Sequence, residues 1–103
     1  MQLLQIFLPV RDSKDKPFPR GNYTLIRNEL TKKFGGLTTY TRAPAEGLWR
    51  DEKNDAHHDV IIIFEVMTAK LDKRWWSKYK KELEKIFAQD EIIIRVQKVK
   101  ILK

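Results

Sequence analysis

The chain of 103 residues contains no cysteine. Disulfides, thiolate nucleophiles and cysteine-built zinc sites are therefore excluded. Serine occurs only at Ser13 and Ser77. Neither sits in a nucleophile-elbow pattern, so serine hydrolase chemistry has no foothold. The pair Gly35-Gly36 lacks the following Lys and Ser/Thr of a phosphate loop. No apolar run approaches the roughly 18 residues needed to cross a membrane. The opening MQLLQIFLPV has no basic segment ahead of it, unlike a signal peptide. These features lead to the expectation of one soluble, cytoplasmic domain. A chain of this length buries roughly 65% of its unfolded surface without covalent staples.

Positive charge is abundant but unevenly spread. The net charge is +7. Residues 1–35 hold seven Lys/Arg against three Asp/Glu, and residues 70–103 hold eleven against five. Residues 36–69 reverse the balance, with three against six. This basic protein thus concentrates its cations in two segments with helical patterning and in the last strand. Such a surplus attracts nucleic acid or acidic ligands. The simpler reading is a solvated helix layer.

The apolar pattern alternates between two periods. Leu3 to Val10 reads as a strand apolar on both sides, hence central. Tyr23, Ile26, Leu30 and Phe34 recur at helical spacing over about 19–34. Pro19 suits a first turn, with Asn22 as an alternative cap, and Gly35 suits a left-handed stop. Leu37 to Arg42 reads as a second strand at an edge, because Pro44 follows. His57 to Met67 reads as a third strand. A second helix carries Leu71, Trp75, Trp76, Tyr79, Leu83, Ile86 and Phe87 as an apolar stripe, with Asp72 as N-cap. Ile92 to Leu102 reads as the last strand.

The order strand–helix–strand–strand–helix–strand specifies an α+β fold. Two right-handed crossovers interleaved through a central hairpin give a ferredoxin-like βαββαβ plait. The expected sheet has four antiparallel strands in the order 4-1-3-2, with both helices on one face. Parity then assigns the side chains. Leu4, Ile6, Leu8, Val60, Ile62, Phe64, Val66, Ile92, Ile94 and Val96 face the helices. Leu3, Gln5, Phe7, His57, Ile61, Ile63, Glu65, Met67, Ile93, Arg95 and Gln97 face outward. The outward set is a large apolar patch, which monomers rarely leave wet. A second copy, giving a homodimer, is the expected cover. The intervening excursion after the second strand and a bound small molecule are the alternatives.

Seven residues stand out as ligand-binding or interface candidates: Gln5, Arg42, Trp49, Arg50, His57, Glu65 and Arg95. Gln5, Glu65 and Arg95 fall on neighbouring strands of the outward face. There Gln5 is placed to bridge the other two. A carboxylate held among apolar groups acts as a general base; one held in an ion pair fixes register. Trp49-Arg50 is an anchor pair of the kind found at binding surfaces. His57 and His58 point to opposite sides of a strand, so no metal site is expected there, and no cofactor is implied.

The run Phe34-Gly-Gly-Leu-Thr-Thr, followed by Gly47-Leu-Trp-Arg50, resembles small bacterial proteins of unknown function. The closing Phe87-Ala-Gln-Asp-Glu-Ile is similar to theirs as well. That resemblance, spanning about 34–95, implies a ferredoxin-like fold and carries no catalytic residues with it. The architecture also resembles dimeric α+β barrel proteins, among them small monooxygenases and isomerases. Three functions are therefore in play. The first is self-association through the open sheet, with a small ligand enclosed. The second is a small cofactor-independent enzyme with Glu65 or His57 as base. The third, less favoured, is nucleic-acid binding by Arg74, Lys78, Lys81 and Lys85.

Overall fold

The computed structural model describes residues 1–42 and 61–103, apart from the side chains of Tyr40 and Arg42. Six elements follow one another: β1 (Gln2–Pro9), α1 (Arg20–Phe34), β2 (Thr38–Arg42), β3 (Ile61–Thr68), α2 (Lys73–Ile86) and β4 (Ile93–Lys98). The sheet order is β2-β3-β1-β4, which counted from the β4 edge is 4-1-3-2. All three pairings are antiparallel. β1 is central because its amides are used on both sides, by β3 and by β4.

Alternation along β1 builds the core. Leu4, Ile6 and Leu8 are fully buried, and Phe64 and Val66 join them from β3. Ile26 and Leu30 from α1 and Trp76, Tyr79 and Leu83 from α2 complete one cluster with Phe87 and Ile92. Both helices therefore bury their stripes against the even-numbered side of the sheet. Phe87 lies just past α2, where Phe18 meets it edge-on at 5.1 Å and Tyr23 at 5.4 Å.

The helix ends follow local chemistry. The Asp72 carboxylate accepts from the Trp75 backbone N–H at 3.1 Å, capping α2. Pro19 precedes α1 without a side-chain cap, so Asn22 plays no capping role. Gly35 ends α1 at φ 79°, a conformation that favours glycine, and its N–H donates to the Thr31 carbonyl. Glu84 ties α2 to the last strand. Its carboxylate accepts from Lys80 Nζ at 2.6 Å and from the Ile92 backbone N–H at 3.1 Å. The Lys80 bond, then the Ile92 bond, holds the Glu84 carboxyl below its ordinary range.

The last strand is shorter than its apolar pattern suggests. β4 ends at Lys98 rather than Leu102, and Leu102 is 99% exposed. Val96 shares the parity of Ile94 yet is 44% exposed. An edge strand has a neighbour on one side only, so alternation alone overstates its burial. The third strand is described from Ile61, so its expected start at His57, with Val60, lies outside the described residues.

A side-chain hydrogen bond joins the two helices. The buried Tyr79 hydroxyl donates to Glu29 Oε2 at 2.9 Å. Burial first, then this bond and the Glu29 charge, push the phenol well above 10.0. The native state thus holds the neutral phenol. This stability is whole below the ordinary tyrosine pKa and declines as pH rises beyond it. Tyr79→Phe is expected to cost about 1 kcal/mol at pH 7. Above about pH 11 the variant is expected to outlast the wild type, because its position no longer ionises on unfolding. Urea midpoints at pH 7, 10 and 11 check this crossing.

Candidate functional site on the open sheet face

The register brings the outward residues of four strands into rows. Gln5 lies opposite Glu65 on one side and Arg95 on the other. Thr38 extends that row across β2. Phe7 lies opposite Ile63 and Ile93, and Leu3 opposite Met67 and Gln97. A polar row is therefore bounded on one side by Phe7, Ile63 and Ile93 and on the other by Leu3 and Met67, with Gln97 at the β4 end. Each strand contributes one side chain per row because successive residues alternate faces.

Within the polar row, Gln5 Nε2 donates to Glu65 Oε1 at 2.9 Å. Arg95 also reaches the neighbouring apolar row. Its guanidinium carbon lies 4.6 Å from the centroid of Phe7, over the ring face. The exposed guanidinium gains from the ring quadrupole there, an interaction worth about 0.5–1 kcal/mol at such sites. Row and ring together make a surface of amide, carboxylate and cation over an apolar bed.

Exposure on this face is graded. Ile63 is buried, while Leu3, Phe7 and Ile61 are half-buried. Met67 is 45% exposed and Ile93 is 53% exposed. Ile63 lies on β3, with β2 on one side and β1 on the other. The exposed apolar groups are therefore at the two ends of the face.

Of the seven sequence candidates, Gln5, Glu65 and Arg95 are brought together. Arg42 stands at the end of β2, at the register position opposite Ile61. Trp49, Arg50 and His57 lie outside the described residues, as does Pro44. Among the described residues, no group of three His, Asp or Glu side chains is arranged to hold a metal ion.

A second concavity escaped the pattern of the sequence. Tyr23, Thr24 and Arg27 of α1 face Thr39, Thr41, Ile62 and Phe64 across a cleft of about 330 Å³. Tyr23 closes one end by donating its hydroxyl to the Pro9 carbonyl at 2.6 Å. The signal was present at Thr39 and Thr41. They occupy the helix-side positions of β2, opposite Phe64 and Ile62, where a covered strand would carry aliphatic residues.

This arrangement defines a small α+β protein, a four-stranded antiparallel sheet backed by two helices. No family model matches the chain, and no curated protein does. Among solved structures, the chain is similar to a phage SAM lyase in complex with S-methyl-5'-thioadenosine. The TM-score is 0.55 at 14% sequence identity, covering 93% of this chain and 79% of that one. The likeness is one of fold. Among the described residues, no helix is long and apolar enough to cross a membrane.

Proposed function

We propose that this chain is a ferredoxin-like plait whose open sheet face is its working surface. Two copies meet face to face there and enclose the Gln5–Glu65–Arg95 row, with room for a small ligand. The observation that supports this reading is the polar row set between apolar rows that leave Met67 and Ile93 about half exposed. A solvated sheet face would alternate to polar residues throughout.

Size bounds the strength of such an association. Four strands about 4.8 Å apart and up to eight residues long give a face on the order of 500 Å². Two such faces bury roughly 1,000 Å², the weak end of specific interfaces. Dissociation in the micromolar range is therefore expected. Native mass spectrometry of the purified chain reads both parts of the proposal. A species of twice the 12.3 kDa chain mass is expected above micromolar concentration. Glu65→Gln and Arg95→Ala are expected to reduce that species or any small molecule held with it. A lone, unliganded chain at every concentration would overturn the reading, as would two variants indistinguishable from wild type.

The second reading is a small cofactor-independent enzyme of the dimeric α+β barrel type, with Glu65 as base. It is favoured by the fold likeness to a lyase captured with S-methyl-5'-thioadenosine. Calorimetric titration with that compound separates the readings. Saturable heat lost in Glu65→Gln would support the enzyme, whereas no heat at millimolar concentration would leave self-association as the function.

A further inference from the structure

We propose that the outer face of α2 binds the phosphate backbone of duplex DNA through Arg74, Lys78, Lys81 and Lys85. All four side chains are exposed. Spacings of four, three and four place them within about 60° of one helix face, in a straight row roughly 16 Å long. None of them enters an ion pair among the described residues. Glu84, the acid one turn from Lys80, is instead turned to Lys80 and the Ile92 N–H.

The row works against the helix that carries it. Like charges three and four residues apart repel on a helix surface. Arg74 stands in the first turn, which holds no acidic residue, where the helix dipole favours anions. The row is not wholly unfavourable, because Lys81 attracts the Glu84 carboxylate and Lys85 stands in the last turn, but a polyanion relieves the repulsion within the row and at Arg74 together.

The surroundings select the partner. The row is flanked by Ser77 and Glu82, with no apolar side chain to enter a bilayer. Base stacking, which single strands require, has no free platform on α2. Trp76 and Tyr79 are buried, and Trp75 is engaged by the stacked Tyr79 ring at 4.7 Å and by Lys33 Nζ at 4.5 Å. A straight row of exposed cations matches the regularly spaced phosphates of a DNA duplex. The contact carries no sequence information. It lies on the helix side of the sheet, so it is independent of what covers the open face.

The test is fluorescence anisotropy with a labelled 20-base-pair DNA duplex across a salt series. Four phosphate contacts give a slope of about −3.6 in log affinity against log salt, or roughly 150-fold weakening between 50 and 200 mM. The variant R74Q/K78Q/K81Q/K85Q is expected to abolish binding while remaining folded, as read by its circular dichroism and a cooperative melt. The variant K14Q/K16Q/K98Q/K100Q removes the same charge elsewhere and is expected to weaken binding less than fivefold. Acetylation of the wild-type chain supplies a readout without substitution, with Lys78, Lys81 and Lys85 protected by the duplex. The proposal is overturned by any of four results: no binding at 20 mM salt, a slope shallower than −1, equal loss in both variants, or preference for phosphatidylserine vesicles over the duplex.

Discussion

Phe87→Ala is expected to lower stability by about 3–5 kcal/mol, the range for deleting a buried aromatic ring. Phe87 is fully buried and sits at the seam between α2, β4 and the chain entering α1. Phe18 and Tyr23 both rest against it. Removing the ring leaves a void that three separate segments line, so collapse of any one of them cannot fill it. Domains of this size are stable by about 5–15 kcal/mol, so the loss removes a large share of the total. Urea denaturation reads it as a lower midpoint at unchanged slope. Leu102→Ala, at a position 99% exposed, is the matched control and is expected to leave the midpoint unchanged. A Phe87→Ala midpoint shift worth less than 1 kcal/mol would mean that the three segments do not share one core.

The second large effect concerns association rather than folding. Met67→Lys combined with Ile93→Lys is expected to weaken the proposed dimer at least 100-fold. Both positions are about half exposed in the single chain, so the lysines are tolerated by the fold, within about 0.5 kcal/mol. In a face-to-face pair the same positions bring like charges together without water, which costs several kcal/mol. Sedimentation velocity distinguishes the outcomes. A variant that melts as wild type but sediments as a monomer is expected. A variant that remains dimeric would place the interface elsewhere.

Much of this architecture was legible because two periodicities were written strongly. Leu4, Ile6 and Leu8 share one parity within an apolar run, and Ile26–Leu30 and Trp76–Tyr79–Leu83 keep helical spacing. Side-chain parity alone puts Gln5, Glu65 and Arg95 in one row. What parity could not supply is the direction a long side chain takes after leaving its strand. Arg95 goes to the Phe7 ring, a neighbour one row away, because a flexible guanidinium finds an aromatic face within reach. The Tyr79–Glu29 and Glu84–Ile92 bonds escaped for a related reason. Each joins elements far apart in sequence or across a turn, where no local spacing announces a partner. The end of β4 was misjudged because an apolar pattern records composition, whereas burial on an edge strand depends on what reaches over it. The α1–β2 cleft was visible only as two threonines where aliphatic residues would be expected.

The absence of cysteine makes the covering of the open face directly measurable, since a single introduced thiol has no competitor. Ile93→Cys puts that thiol on the open face, and Leu25→Cys puts it on the exposed side of α1. Each variant is treated with a short bis-maleimide at tens of micromolar protein. Covalent dimer from Ile93→Cys, with Leu25→Cys remaining single, is the expected result. Equal yields at the two positions, or none at Ile93→Cys, would contradict a second copy seated on this sheet.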